Sequence, residues 1–99
     1  MEMVEQQVFE QILAVEHEHG LHARPADLFV RCSNQFSSSI YLYNLTRNGE
    51  KKANAKGILG VLSLGVRKGD VIKIVAEGED GAQAIAALTA LIRSNFQES

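Results

Sequence analysis

Residues 11–16, Gln-Ile-Leu-Ala-Val-Glu, alternate so that Leu13 and Val15 share a side, which predicts a first strand with those two in the core. After a polar loop at residues 17–20 the period changes. Ala26, Phe29, Val30, Ser33 and Phe36 recur at three- and four-residue spacing, predicting a helix from residue 23 to about 34. The only proline, Pro25, falls in its first turn, where the missing N–H would have had no intrahelical acceptor. Residues 39–43 alternate again: Ile40 and Leu42 toward the core, Tyr41 and Tyr43 on the opposite face beside Val71, Val75 or Ile12. Asn48-Gly49 predicts a turn, with residues 50–54 returning as the second strand of a hairpin. Residues 57–64 predict a short apolar helix carrying Ile58, Leu59 and Leu62 on an exposed or semi-exposed side. Gly69-Asp70 turns the chain into a β-branched strand at residues 71–76. Glu79-Asp80-Gly81 places acid at the start of a last helix. Its stripe is Ile85, Leu88 and Ile92, with Ala84 and Leu91 beside it.

The resulting order, β-α-β-β-α-β-α, implies an α+β fold in two layers, with helices covering one face of an antiparallel sheet. No repeat or Pro/Gly/Ser-rich linker divides the chain, so residues 1–99 read as a single domain.

A net charge of -2 leaves no basic footprint, so neither nucleic acid nor an anionic membrane surface is expected as a partner. No apolar run approaches the roughly 18 residues that span a bilayer, so membrane insertion is not expected either. The single cysteine, Cys32, has no internal disulfide partner and reads as a small packing residue in a reducing compartment. Residues 1–7 carry neither a basic n-region nor an apolar h-region, and the expected location is cytoplasmic.

Chemistry concentrates in Gly20-Leu21-His22-Ala23-Arg24-Pro25-Ala26. A histidine there stands at the mouth of a helix, whose leftover N–H groups and positive dipole end favour anions. An imidazole, with an ordinary pKa of about 6.5, is a competent nucleophile near neutrality. Arg24 adds forked donors suited to phosphate oxygens. His17, His19 and His22 match no zinc-ligand spacing, and neither metal nor cofactor is expected. Gly57-Ile58-Leu59-Gly60 lacks the Walker spacing and its Gly-Lys-Ser/Thr ending, so it reads as a packing segment.

The heptapeptide resembles the active-site signature of HPr, the histidine-containing phosphocarrier of the bacterial phosphoenolpyruvate-dependent sugar phosphotransferase system. A second stretch, Lys56-Gly57-Ile58-Leu59-Gly60-Val61-Leu62-Ser63-Leu64-Gly65, resembles that family's other signature. Lys68-Gly69-Asp70 and Ala76-Glu77-Gly78-Glu79-Asp80 follow in the family's order, and the likeness runs over residues 9–96. It implies an open-faced sandwich of four antiparallel strands and three helices. It implies that His22 accepts phosphate on Nδ1 from enzyme I and passes it to the A domain of a sugar-specific enzyme II, with Arg24 stabilising charge. Ala23, Ile58, Leu59 and Leu62 would form the docking surface for both partners. The expected molecule is a monomeric relay, not an enzyme with its own small substrate. The alternative is a regulatory docking module of the same fold, as in the nitrogen-type branch of the system.

Three positions depart from the family pattern. Gly57 stands where many members carry a regulatory serine, so phosphorylation of a serine there is not expected. The hairpin between Tyr43 and Lys51 reads as about four residues longer than is typical. Asp27 adds negative charge in the first turn of the helix, close to an incoming phosphate.

Overall fold

The computed structural model describes residues 7–97; residues 1–6, where no export signal is expected, and both ends of the expected 1–99 domain lie outside the described residues. The elements follow the expected order: β1 (Val8–Ala14), α1 (Arg24–Ser33), β2 (Ser39–Asn44), β3 (Asn48–Asn54), α2 (Ile58–Ser63), β4 (Val71–Glu77) and α3 (Gly81–Arg93). The strands form a four-stranded antiparallel sheet in the order β1-β4-β2-β3. The family fold expected from the sequence is the fold observed.

β4 takes an inner position because it can be buried on both faces. Ile72, Ile74 and Ala76 are fully enclosed, and Val75, on the opposite face, is still buried. Facing it on β2, Ile40 and Leu42 point into the same core, paired in register with Ala76 and Ile74. α3 covers β1 and β4, α1 packs on α3 and α2, and α2 lies against β3. Each fully buried Leu or Ile in this layer stabilises the fold by about 1.5–3 kcal/mol. The other face of the sheet carries Tyr41 opposite Val75 and Tyr43 opposite Lys73, as the alternation predicted for Val75. Lys52 and Lys73 place their ammonium groups 4.3 and 4.6 Å from the Tyr41 and Tyr43 ring centroids. Ile12 is one strand further away, paired with Lys73.

Two elements differ from the sequence expectation. β1 begins three residues early and stops at Ala14, because its register with β4 runs from Val8 opposite Glu77 to Ala14 opposite Val71. Val15 is fully buried as expected, but it leaves the ladder to bond the turn before β4, donating to Asp70 O at 2.9 Å and accepting from Gly69 N at 2.7 Å. The hairpin reverses at residues 45–47, while Asn48-Gly49 opens β3. The cause is Asn44. Its buried amide oxygen accepts the N–H groups of Thr46 and Arg47, folding the chain before the Asn-Gly pair is reached. Its amide nitrogen donates to Leu64 O and to the Asp70 carboxylate, 3.2 and 3.0 Å away. Burial alone would push the Asp70 carboxyl up; the Arg67 N–H, the Asn44 amide and the Arg47 guanidinium outweigh it and hold it below its ordinary value.

α1 buries Pro25, Ala26, Leu28, Phe29 and Ser33, so its stripe is wider than the one predicted, and Val30 is only half-buried. α3 is centred on Ala84, Leu88 and Ile92, leaving Ile85 and Leu91 half-buried at the margins. The acid predicted to favour α3 makes no side-chain cap there. Asp80 instead accepts the N–H and hydroxyl of both Ser37 and Ser38, bracing the turn between α1 and β2.

The Ser38 hydroxyl first, and then the Ser37 N–H, hold the Asp80 carboxyl down from its ordinary 3.8 to about 2. A depressed carboxyl contributes stability that is complete above its unfolded value and lost as pH falls through the folded one. Urea midpoints measured against pH should therefore fall from about 4 to about 2 in the parent. Asp80→Asn should flatten that limb.

Candidate functional site

The segment leading into α1 is pinned from behind. Gly20 has φ +60, and a Cβ built on it would lie 2.2 Å from the Val66 carbonyl oxygen, so only glycine fits against this strand of backbone. The same carbonyl accepts the Leu21 N–H at 3.1 Å, and the Leu21 side chain is buried in the core. His22 follows that plug directly and is exposed. Ala23 then adopts φ 49, ψ -117, the region that glycine dominates as the first central residue of a type II′ turn. This sharp step redirects the chain into α1 at Arg24, with Pro25 in the first turn as predicted.

His22, Ala23, Arg24, Pro25, His17, His19 and Phe96 line one open cavity of about 400 Å³. No side chain caps α1, so the leftover N–H groups of its first turn carry the positive end of the helix dipole beside His22. The Arg24 side chain is 62% exposed, and its Nη1 lies 3.6 Å from Asp27 Oδ2. Arg31, one turn further on, grips both oxygens of the same carboxylate through Nε, at 3.1 and 3.0 Å. The arrangement can take an anion on an exposed imidazole between a helix N-terminus and a mobile-length guanidinium arm.

Two lining residues, His17 and Phe96, are not among the expected site residues; the sequence raises His17 only as a metal ligand. His17 accepts the His19 N–H on Nδ1 at 3.1 Å, which makes it a part of the loop's own scaffold. Phe96 stacks edge-on against His17 with ring centroids 5.8 Å apart. It arrives there because Asn95 and Phe96 both take φ 62 after α3, and the Phe96 N–H closes back on Leu91 O at 2.8 Å. Only the paired left-handed residues bring α3's end back to the loop, and no periodicity announces that. Although three histidines meet here, no group of His, Cys, Asp or Glu among the described residues is arranged to hold a metal ion.

The expected docking residues fall in two places. Ala23 is exposed and belongs to the cavity; Ile58, Leu59 and Leu62 lie on α2 outside its lining. Leu59 is 80% and Ile58 39% exposed, while Leu62 is half-buried against the core through a helix whose Val61 is fully enclosed. Gly57 is the exposed N-cap of α2. Ser63 Oγ, at the other end of α2, donates to Gly60 O at 2.6 Å.

Residues 9–94 match the family model described as the PTS HPr component phosphorylation site. The HPr-like protein Crh of Halalkalibacterium halodurans is 43% identical over 90 residues, covering 91% of this chain and 96% of that protein. The multiphosphoryl transfer protein of Salmonella typhimurium is 42% identical over 84 residues, covering 85% of this chain; the chain spans 22% of that much longer relative. The crystal structure of HPr-C-His from Thermoanaerobacter tengcongensis superposes with a TM-score of 0.83 at 46% identity, covering 92% of this chain and 98% of that one. A dimer of HPr from the same organism aligns over 99% of this chain and 100% of that one, with 44% identity and a TM-score of 0.70, so family likeness does not itself define a monomer. The matched family model is that of a phosphorylation site, and in this α+β open sandwich an exposed histidine stands at the mouth of the first helix. This chain belongs to the HPr family, the phosphocarriers of the phosphotransferase system. No helix among its described residues is long and apolar enough to cross a membrane.

The backbone at Ala23 holds an alanine where glycine is preferred, a strain of about 1–3 kcal/mol. Ala23→Gly should relieve part of it and raise the unfolding free energy by about 1 kcal/mol, read from the urea midpoint at unchanged m-value.

Proposed function

We propose that this chain carries a phosphoryl group on His22, accepting it from phospho-enzyme I and delivering it to the A domain of a sugar-specific enzyme II. The observation that carries the proposal is the exposed imidazole between the buried Leu21 anchor and the uncapped start of α1, with Arg24 in the same cavity. In the transfer step a lone pair on the imidazole, Nδ1 by family resemblance, bonds to phosphorus as the donor nitrogen's bond to phosphorus breaks. Arg24 and the helix end stabilise the charge on the three peripheral oxygens during that exchange. Delivery is the same exchange run toward an acceptor imidazole.

Ala23, Ile58, Leu59 and Leu62 serve as the contact surface, which reconciles the exposure of Leu59 with its solvation cost. All of these groups come from one copy of the chain, so a monomer is a sufficient working unit. Gly57 offers no hydroxyl, which favours the carrier reading over serine-switched regulation at that position. A docking regulator of the nitrogen-type branch is the second reading, and onward transfer separates the two. The carrier empties rapidly into an A domain, whereas the regulator stays charged.

With enzyme I and labelled phosphoenolpyruvate, the protein should take up one acid-labile phosphate. His22→Ala should take up none while keeping its fold, and Arg24→Glu should slow uptake about ten- to a hundred-fold. A parent protein left unlabelled ends the proposal. Leu59→Glu changes a solvent-facing side chain, so folding should move by no more than about 0.5 kcal/mol. The KM for phospho-enzyme I should nevertheless rise about five-fold or more, measured in the same assay.

A further inference from the structure

The first two turns of α1 hold one carboxylate between two guanidinium groups. Asp27 receives Arg31 Nε on both oxygens at 3.1 and 3.0 Å, and Arg24 Nη1 stands 3.6 Å from Oδ2. The Asp27 side chain is 40% exposed, and Asp27 is one of the groups that engage Arg24. Arg24 is also the cation placed to meet a phosphoryl group on His22. A phosphoryl group brings roughly −1.5 to −2 of charge to the site at neutral pH. Two anions, one permanent and one transient, would therefore draw on the same arginine. We infer that Asp27 is a positioning residue that competes with phosphate for Arg24, and that Arg31 sets the strength of that competition by occupying the carboxylate.

The inference rests on the phosphocarrier reading and specifies how that site is tuned. Asp27 keeps the phosphoryl group less tightly held, and so readier to leave, than Arg24 alone would make it. Arg31 moderates the effect, because a carboxylate already gripped through both oxygens attracts Arg24 less strongly. Geometry sets the ranking: the closer, two-oxygen contact belongs to Arg31 and the longer one to Arg24. Exposed pairs of this kind are individually weak, so the effect is a modulation of about two- to five-fold, not a switch.

Potassium phosphoramidate tests this in the full-length chain without any partner protein. An imidazole nitrogen of His22 bonds to phosphorus as the P–N bond of the reagent breaks, and ammonia leaves with the displaced proton. The phosphorus-31 resonance of the charged protein is then followed against pH, reading the proton affinity of the phosphoryl oxygens. Asp27→Asn should lower that affinity about two- to five-fold, moving the midpoint down by about 0.3–0.7 pH units, because the Asp27 carboxylate then no longer draws Arg24 away from the phosphoryl dianion. Arg31→Met should move it up. In an Arg24→Met background, the effect of Asp27→Asn should shrink to a small direct repulsion. An unchanged midpoint in Asp27→Asn overturns the inference, and so does an effect that persists undiminished without Arg24. Failure of the parent protein to be charged on His22 is a different result. It removes the carrier reading itself, and the tuning with it.

Discussion

Gly20 lies so close to the Val66 carbonyl that no side chain could be accommodated between them. That contact ties the loop after β1 to the segment before β4, and the Leu21 N–H bond to the same oxygen locks it. With Leu21 sunk into the core, the next residue has to surface, and it is His22. Ala23 then has to turn sharply for Pro25 and Ala26 to be buried in α1. The exposed histidine is thus the geometric remainder of a tightly packed neighbourhood. Its position needs no contribution from its own side chain, which leaves the imidazole available for chemistry.

The parts of this design that were legible in the sequence are those that repeat. Alternation put Ile40 and Leu42 on one face and Tyr41 and Tyr43 on the other, because strand faces follow a period of two whatever the neighbours do. It leaves open which of Val71, Val75 and Ile12 lies beside the tyrosines; the register pairs Tyr41 with Val75. The exposed run on α2 was legible for a similar reason: a six-residue helix cannot bury Ile58, Leu59 and Leu62 together with Val61. What was not legible depends on single side chains and backbone conformations that follow no period. Asn44 moves the hairpin reversal ahead of Asn48-Gly49 because its side-chain oxygen accepts the N–H groups two and three residues on, a local turn that wins over the Asn-Gly pair. Asp80, which looks like a helix-start acid, is recruited by Ser37 and Ser38 at the neighbouring start of β2, whose Ser39 pairs with Glu77. Phe96 reaches the site through two successive left-handed residues that are neither glycine. In the site, residue types were readable and their electrostatic partners were not.

Those partners matter because the site is shallow. A deep active site isolates its reactants with walls; here the walls are Pro25, Phe96 and the loop histidines around an open cavity. Strong field effects require a site from which water is excluded, and an exposed imidazole provides no such exclusion by itself. On the proposed carrier reading, that enclosure would come from a partner protein covering Ala23 and α2. This is why the carrier reading and the apolar exposure of Leu59 belong together.

Opening the site to solvent also decides which interactions can tune it. Burial cannot shift the chemistry of a group that remains wet, so the remaining means is rearrangement of nearby charge. The first turns of α1 supply it cheaply, since residues three and four apart on a helix are already neighbours. Placing a carboxylate between Arg24 and Arg31 lets one anion replace another at the same guanidinium without moving the backbone. A carrier must release what it has bound, and binding too firmly is as disabling as binding too weakly. A shared arginine, loosened by an acid within its reach, satisfies both demands on a scaffold whose rigidity comes from Gly20, Leu21 and the sheet behind them.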